Sequence, residues 1–375
     1  MQEQHAFETK YTITPDILRN LGRIEACKGR AEHASVSVAI LSSLRKSARL
    51  RSTHYSTFIE GNRLSVEQIG AVLEYPGHFP GREREEDEVK GYYTALTKVE
   101  QRATKGSQVS EKLIQEIHSL VMGGGKKTSV KAATPYRDGQ NVIYDGKSGA
   151  IVYLPPEAHD VPALMANLVK WINTSTEIPC PIVAALAHYQ FATIHPYYDG
   201  NGRTGRLLAT FIIHANKYDL KGIYCLEEYY ARNLSTYYDA LTVGPSHNYY
   251  MGRAEADLTP WIAYFVAGMA EAFENVVNTL FMPPHRSPLS GTAQTLRLTP
   301  EQRVVLELFV DQPTISSAQV SRIFAFSSQS AALLCIKLVR EGFLEFADSS
   351  KKARRYRLAK KYERLIFPEA LSPHQ

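Results

Sequence analysis

The segment from Ile194 to Arg206 places several side chains suited to phosphate chemistry around one glycine turn. The run Gly200 to Gly202 tolerates left-handed and close-approach backbone, so successive N–H groups can point at one anion. An apolar helix follows, and its N-terminus adds a partial positive charge at the same place. Arg203 and Arg206 are three positions apart and therefore share a face of that helix. Two guanidinium groups beside such a turn predict a site for a di- or triphosphate.

Two further side chains of this segment could act on a bound phosphate ester. Asp199 stands where a carboxylate could hold Mg²⁺ on the phosphates. His195 lies just upstream, and the usual pKa of an imidazole suits a general base. The alternative is a glycine turn between two core helices, with arginines paired to surface acids. An imidazole, an acid, the turn and two arginines in so short a segment favour a catalytic site.

The run from Gly200 to Gly205 also has the spacing GxGxxG. In dinucleotide-binding folds that pattern follows a β-strand. Here the preceding residues, Ala184 to Ile194, have helical periodicity, and no βαβ pattern surrounds them. A Walker A loop is excluded because no GK[ST] sequence follows. We therefore predict a phosphate site built on helices.

Apolar residues recur at helical spacing through most of the first 280 residues, which predicts a mainly α fold. The stretch from Gln140 to Leu154 differs, because two β-rich runs surround Asp145-Gly146 and Ser148-Gly149 and indicate a β-hairpin. Helices are predicted around 17–24, 35–50, 86–96, 110–123, 161–173, 182–194, 204–215 and 260–280.

The segment His195 to Arg206, HPYYDGNGRTGR, resembles the signature of the Fic family, His-Pro-Phe-x-Asp/Glu-Gly-Asn-Gly-Arg-x-x-Arg. Tyr197 is the one departure: the family has Phe there, packed in the core, and the added hydroxyl needs a partner. The flanks at Val161–Met165 and Asp257–Trp261 also look like the family's, so the resemblance covers most of residues 1–280. It implies a Fic-type helical domain whose flap, Gln140–Leu154, registers a target segment by strand addition.

By this resemblance the chain is a protein adenylyltransferase, which transfers AMP from ATP to a Ser, Thr or Tyr hydroxyl and releases pyrophosphate. His195 would deprotonate the hydroxyl, and Asp199 would bind Mg²⁺ between the α- and β-phosphates. The implied ATP-binding residues are the turn, the first helical residues and a tyrosine pair that borders the adenine in the family: Gly200, Asn201, Gly202, Arg203, Thr204, Gly205, Arg206, Tyr237 and Tyr238.

The segment Ser56 to Gly61 matches the family's inhibitory pattern, Ser/Thr-x-x-x-Glu-Gly/Asn. Ser56 and Glu60 are four positions apart on one helix face, and Gly61 is a residue that ends helices. By resemblance, Glu60 pairs with Arg206, the arginine meant for the γ-phosphate, and so holds ATP out of the productive geometry. We expect an enzyme that inhibits itself.

The C-terminal residues form a separate pattern after a proline-rich linker at 282–297. Three helices are predicted from Thr299 onward, followed by strands at 343–346 and 355–358, an arrangement that resembles a winged helix. Seven basic residues and no acid lie between Lys351 and Lys361, which suits phosphate contacts. The predicted third helix, 327–341, is poor in groove-reading side chains, and winged helices also dock proteins, so DNA and a protein partner both stay open.

Composition restricts the class of protein. The chain of 375 residues has 44% hydrophobic and 22% charged residues and a net charge of +5, as ordinary globular proteins do. Four scattered cysteines, no apolar leader and no long apolar run favour a cytoplasmic protein without a membrane partner. The predicted domains are 1–100, carrying the inhibitory motif, a catalytic core at 101–281, the linker, and a winged-helix-like domain at 298–375.

Two other functions stay open at this point. One is a DNA-binding transcriptional regulator whose Fic domain senses a nucleotide. The other is a Fic enzyme of another reaction, namely de-AMPylation or the transfer of UMP or phosphocholine. The target protein, which could be the chain itself, and a homodimer are not decided by the sequence.

Overall fold

The structure is a computed structural model that describes residues 7, 9–34, 36, 38–74, 79–123, 133–144, 149–244, 247–281, 298–309, 312–324, 327–348 and 354–363. The chain divides into two compact units. The first is drawn from residues 1–34, 45–64 and 84–280, and the second from 35–44, 65–83 and 281–375. The predicted linker, the turn of the hairpin and Lys351 and Lys352 lie outside the described residues.

The expectation of a mainly helical chain is confirmed. The helices before residue 282 are α1 (Pro15–His33), α2 (Val38–Ile59), α3 (Val66–Glu74), α4 (Glu83–Thr104), α5 (Glu111–Met122), α6 (Val161–Thr174), α7 (Cys180–Ile194), α8 (Asn201–Ala215), α9 (Glu227–Arg232), α10 (Leu234–Leu241) and α11 (Thr259–Phe281).

Helices α7 and α8 lie at the centre of the first unit. Nearly every residue of α7 is buried, which explains why its sequence is apolar all round rather than amphipathic. Helix α5 packs against α8 and α6 against α7. The indole of Trp261 in α11 donates to the carbonyl of Ala185 at 2.7 Å, which joins α11 to the middle of α7. The two central helices are thus held on several sides, and the loop between them starts from rigid ends.

The predicted hairpin is present as two short antiparallel strands, β1 (Ile143–Tyr144) and β2 (Ile151–Tyr153), with Ile143 opposite Tyr153. Its base is tied to the helical core, because the hydroxyl of Tyr153 donates to the carbonyl of Thr193 at 2.8 Å. The backbone of Leu154 also exchanges hydrogen bonds with His247 and Tyr249, at 2.8 and 3.1 Å.

The second unit contains α3 together with α12 (Pro300–Glu307), α13 (Ser317–Phe324), α14 (Ser328–Arg340) and the short α15 (Lys360–Glu363). Its antiparallel sheet has the order β3-β5-β4, with β3 at Ile315–Ser316, β4 at Leu344–Asp348 and β5 at Arg355–Leu358. A capping box at Thr299 and Gln302 begins α12. The helices and sheet bury one core, in which Phe309, Leu338 and Phe343 are at most 1% exposed.

Several helix boundaries differ from those predicted. Helix α2 continues nine residues past the predicted end at residue 50, and α8 begins at Asn201 rather than Thr204. Helices α3, α9 and α10 were not predicted, because each is nine residues or shorter and gives a weak periodic signal. Within the described residues, no helix is long and apolar enough to cross a membrane.

Candidate active site

The loop between α7 and α8 is shaped by two residues in left-handed conformation. His195 ends α7 at φ +51°, and its N–H donates to the carbonyl of Phe191 at 3.0 Å. Gly200 begins α8 at φ +77°. A side chain at Gly200 would approach the sulfur of Met122 and the ring of His118, so glycine is required there by space as well as by conformation.

His195 carries a neutral imidazole. Its Nδ1 lies 3.4 Å from the carbonyl oxygen of Ala192, and since a carbonyl only accepts, this contact places the proton on Nδ1 and leaves Nε2 free to accept. Burial lowers the pKa of His195 to about 4, an effect that the Ala192 carbonyl opposes and the Arg137 charge reinforces. At neutral pH the ring is therefore ready to take a proton.

Asp199 is an exposed carboxylate with one oxygen in use. Its Oδ1 accepts from the N–H of Gly200 and from the guanidinium of Arg203, the latter at 3.3 Å. Its backbone carbonyl accepts from Nε2 of His118 at 2.9 Å, which ties the loop to α5. The second carboxylate oxygen, Oδ2, makes no hydrogen bond to any described residue, and the side chain is 58% exposed. One oxygen is thus available to a cation.

The two arginines of the motif are both buried, at 3% exposed. Arg206 donates three hydrogen bonds to the end of α2: its Nε donates to the hydroxyl of Ser56 at 2.8 Å, and its Nη2 donates to the Ser56 carbonyl at 2.9 Å and to Oε1 of Glu60 at 2.8 Å. Arg203 contacts Asp199 and lies 3.9 Å from the sulfur of Met122, while its Nε has no partner among the described residues.

The remaining residues of the turn have different surroundings. The amide side chain of Asn201 brackets the backbone of Tyr197, accepting from its N–H at 3.0 Å and donating to its carbonyl at 2.7 Å. Gly202 faces the carboxylate of Glu60, and a side chain there would collide with Oε1. Thr204 is completely buried, and Gly205 allows α8 to approach Phe191 of α7.

The end of α2 explains how Glu60 reaches this loop. Gly61 has φ +100°, its N–H donates to the carbonyl of Phe58 at 3.0 Å, and the N–H of Asn62 donates to Thr57 at 3.1 Å. The left-handed glycine ends the helix directly after Glu60. The side chain of Glu60 remains 30% exposed, whereas the side chain of its partner Arg206 is 1% exposed. Burial is the largest single effect and lowers the pKa of Arg206, but the charge and hydrogen bond of Glu60, together with Tyr237 and Tyr92, outweigh it, and the net shift is upward.

The tyrosine pair on α10 divides between core and surface. Tyr237 is 2% exposed, its hydroxyl lies 3.2 Å from Nε2 of His188, and its ring stacks on Tyr230. Tyr238 is 47% exposed, and its hydroxyl donates to the carbonyl of Ile59 at 3.3 Å, next to Glu60. Of the two, Tyr238 is the ring with a surface free for contact.

Two side chains at this site were missed from the sequence. His118 of α5 stacks on the ring of Tyr197 with centroids 3.6 Å apart. Arg137 donates from Nε to the carbonyl of His195 at 3.0 Å. Neither has a spacing signal, because His118 lies in an ordinary amphipathic helix and Arg137 in the turn-rich YRDG run before the hairpin. Both are visible only once the fold brings distant segments together.

The flap strands present apolar side chains to solvent. Tyr144 is 59% exposed, Ile151 57% and Val152 39%, whereas Tyr153 is buried. Beside the flap base, the exposed Tyr198 donates to Asp138 at 2.8 Å and accepts from the N–H of Gly139 at 2.8 Å. The hairpin thus stands beside the loop of His195 with an apolar surface and no described charge on its strands.

Solved structures with this fold come from several organisms. A Fic family protein from Desulfovibrio desulfuricans has a TM-score of 0.58 at 23% identity, covering 94% of this chain and 99% of that one. A Fic domain containing signaling protein from Bacteroides thetaiotaomicron has a TM-score of 0.56 at 20% identity, covering 71% and 96%. At these identities the likeness defines a fold, and it is the fold of Fic proteins.

Sequence comparison gives the family of the central part. Residues 108–213, which include α5, the flap, α7 and most of α8, match the Fic/DOC family. This part of the chain is a Fic domain. Protein adenylyltransferase Fic from Drosophila erecta is 31% identical over 212 residues, or 53% of this chain. The enzyme of the same name from Drosophila melanogaster is 28% identical over 211 residues. The chain spans about 40% of the length of these relatives.

Proposed function

We propose that the chain is a protein adenylyltransferase that moves AMP from ATP to a Ser, Thr or Tyr hydroxyl of a protein. The observation that carries the proposal is the neutral imidazole of His195 at the head of a loop that ends in a helix N-terminus with two buried arginines. The relatives named protein adenylyltransferase Fic support the same reaction.

In this reaction Nε2 of His195 takes the proton of the acceptor hydroxyl as its oxygen attacks the α-phosphorus. The bond between the α-phosphorus and the bridging oxygen breaks, AMP becomes joined to the protein, and pyrophosphate leaves with the electron pair. The N–H groups of the Gly200–Gly202 turn and the guanidinium of Arg203 hold the phosphates in line. No covalent enzyme intermediate is needed, because the chain contributes positioning and charge.

The donors present fit a Mg²⁺ ion that comes with ATP. Mg²⁺ keeps several waters and uses one or two carboxylates plus substrate phosphates rather than a cage of protein ligands. Asp199 offers one exposed carboxylate oxygen, and no group of three or more acidic, histidine or cysteine ligands is found in the described parts of the chain. When bound, the ion would neutralise charge on the phosphates. Asp199 would hold it while its other oxygen orders Gly200 and Arg203.

The pair between Glu60 and Arg206 supports an inhibited resting state. A γ-phosphate that takes Arg206 must displace a carboxylate 2.8 Å from its guanidinium. Glu60 also fills the space over Gly202, in the middle of the proposed phosphate turn. With Glu60 in place, ATP would bind with its phosphates displaced, and a shift of about 1 Å can cost roughly 10² in rate.

The adenine and the target would bind to different elements beside the phosphate loop. For the adenine, the exposed ring of Tyr238 beside Ile59 offers a stacking surface, and the buried Tyr237 supports it from the core. For the target, a strand added to the flap would meet the apolar side chains of Tyr144 and Ile151. We therefore propose an extended target segment with apolar residues flanking the modified hydroxyl.

The first test is the loss of the general base. We expect His195→Ala to lower AMP transfer by roughly 10²–10⁴ while ATP still binds, because the imidazole takes the proton but holds no phosphate. Incorporation of label from α-³²P-ATP is measured in the Glu60→Gly background, with the exposed His159→Ala as the matched control. Full labelling by His195→Ala would refute the mechanism. If the Glu60→Gly parent itself binds ATP without any labelling, the nucleotide sensor is favoured, and labelling of this parent from UTP or a choline donor would favour another transfer.

The second test addresses inhibition. We expect Glu60→Gly to raise self-labelling, and Glu60→Gly combined with Arg206→Ala to remain inactive, because the arginine serves both the resting and the active state. Glu228→Gly is the control, since it removes a carboxylate that pairs with a different arginine, Arg51 of α2, at 2.8 Å. Equal labelling of wild type and Glu60→Gly would mean that inhibition does not run through this pair.

For the second unit we propose a winged helix that docks a protein rather than DNA. Its three helices, followed by the strands β4 and β5, support the winged-helix assignment. On α14, Leu333 is 62% exposed and Lys337 is already paired with Glu301 at 3.0 Å, which leaves little for a DNA groove. Retention of the full chain on DNA at low salt, with release as salt rises, would instead support the regulator.

A further inference from the structure

Arg137 is a buried arginine whose hydrogen bonds go to main-chain carbonyls around the catalytic loop. It is 3% exposed, although it lies before the flap, outside the signature. Its Nε donates to the carbonyl of His195 at 3.0 Å, and its own N–H donates to the carbonyl of Pro196 at 2.9 Å. Two consecutive peptide groups of the loop are thus fixed by one residue.

The same guanidinium also bonds to both ends of the flap. Its Nη1 donates to the carbonyl of Gly139 at 3.0 Å and lies 3.3 Å from Oε1 of Gln140, just before β1. Its Nη2 donates to the carbonyl of Pro156, just after β2. The base of the hairpin is therefore closed by the group that holds the backbone of His195.

This arrangement matters because His195 has an unfavourable backbone. A non-glycine residue at φ +51° costs roughly 1–2 kcal/mol, and a carbonyl at a helix end lacks an intrahelical partner. Arg137 supplies that partner and so fixes the peptide plane that follows the histidine. The direction of the imidazole depends on this plane, since the side chain leaves from the same Cα.

We propose that Arg137 is a positioning residue that fixes the imidazole of His195 relative to the flap. The inference rests on the proposed transferase function. Arg137 contacts no residue from 199 to 206 through any described hydrogen bond, so it would not hold ATP. Its role would be to keep the base at a constant distance from a hydroxyl presented on the hairpin, and a misplacement of about 1 Å would cost roughly 10² in rate.

The charge of Arg137 gives a second readout. Burial lowers the pKa of His195 most; the Ala192 carbonyl raises it, Arg137 lowers it, and Glu60 and Asp199 raise it. Removing the guanidinium should therefore raise the pKa of the imidazole. Replacement by lysine would keep a positive charge but could not reproduce the planar fork of N–H donors that reaches the carbonyls of His195, Gly139 and Pro156 together.

The experiment compares Arg137→Lys and Arg137→Gln in the Glu60→Gly background. We expect both to lower kcat by about 10²-fold, with the Kd for ATP unchanged. The acid limb of the pH–rate profile should keep its midpoint in Arg137→Lys and should move to higher pH in Arg137→Gln. Arg253 is the matched control, because it is 7% exposed and donates to the carbonyls of Val243 and Leu241, which are not part of the His195 loop. Arg253→Lys should keep kcat per folded molecule.

Two results would overturn the inference. One is a folded Arg137→Lys protein with the kcat of its parent, and the other is equal loss in the Arg137 and Arg253 variants. If the Glu60→Gly parent itself transfers no AMP, the proposed function fails, and the inference is then tested by ¹³C-histidine NMR. The His195 signal is assigned by its absence in His195→Ala. It should titrate at higher pH in Arg137→Gln than in the parent, and an unchanged titration would refute the inferred effect of Arg137 on His195.

Discussion

At the scale of single residues, His195 works in an environment that keeps its ring uncharged. Burial lowers its pKa to about 4, so protonation would remove the proposed base only well below neutral pH. We therefore expect the transfer rate of Glu60→Gly to be flat, as far as this group is concerned, between about pH 8 and 6. It should fall as the pH drops toward 4. A pH–rate profile with its acid midpoint at the ordinary histidine value near 6.5 would contradict this.

Tyr197 gives a stability prediction that follows from one atom. Its ring stacks on His118, but its buried hydroxyl has no hydrogen-bond partner among the described residues. Removing an unsatisfied hydroxyl should be neutral or should stabilise the protein by up to about 1 kcal/mol, so we expect Tyr197→Phe to unfold at equal or higher denaturant. Tyr237→Phe is the control with the opposite expected sign. That hydroxyl has a partner in His188, so its removal should lower the free energy of unfolding by about 1 kcal/mol.

The site could be predicted from the sequence as far as its residues are neighbours in the chain. His195, Asp199 and the glycine turn are contiguous, and their chemistry follows from type and spacing. The contact of Glu60 with Arg206 joins positions 146 apart and came only from the family resemblance. Arg137 could not be found in this way, since it acts through main-chain carbonyls, which every residue has and no pattern marks.

At the scale of elements, the end of α2 is set by Gly61. Its φ of +100° strains any other residue, while a Cβ at this position would meet nothing within 4 Å, so the cost of Gly61→Ala is purely conformational. We expect roughly 1–2 kcal/mol of destabilisation and a partial rise in self-labelling, smaller than that of Glu60→Gly, because the carboxylate is displaced but still present. Gly106→Ala is the control, with φ +69°, open space and a place at the end of α4.

The helices with long apolar runs were predicted best, and the ends of helices were predicted least well. Helices α7 and α11 carry long apolar runs, so their existence follows from composition alone. The extension of α2 to Ile59 was not predicted, because residues 51–57 are mostly polar and their helix is held by packing in the first unit. Asn201 and Gly202 are poor helix formers, yet they belong to α8 because Asn201 uses its side chain on the backbone of Tyr197.

At the scale of the whole molecule, histidines with lowered pKa values make stability depend on pH. Burial lowers the pKa of His188 to about 3, and those of His195 and His214 to about 4. Unfolded histidine binds a proton near pH 6.5, so below that pH the unfolded chain holds more protons and stability falls as pH decreases. Each histidine contributes about 1.4 kcal/mol per pH unit in that window.

The measurement can be confined to the first unit, since both tryptophans of the chain, Trp171 and Trp261, belong to it. Denaturation followed by tryptophan fluorescence should give a lower midpoint at pH 5 than at pH 7, and His214→Gln should reduce the difference. Equal midpoints at the two pH values would show that these rings are not protected from protonation by the fold. Which segments make up each unit was not predictable from the sequence, because α3 is separated by more than 200 residues from the α12–α14 helices with which it shares a unit.

Arg206 bonds to Ser56 and Glu60 and is also proposed to bind the γ-phosphate of ATP, and this double use has a genetic consequence. If one arginine serves both the silent and the working enzyme, a random change at Arg206 removes both and leaves a harmless null allele. Changes at Glu60 would remove only the proposed restraint and would create a dominant, constitutively active allele. A genetic screen for toxic gain of function should therefore return substitutions at Glu60, and with weaker effect at Ser56 and Gly61. It should return no substitution at Arg206. Second mutations in the 195–206 loop that suppress a Glu60 allele should fall on the residues proposed to bind ATP or to act on it.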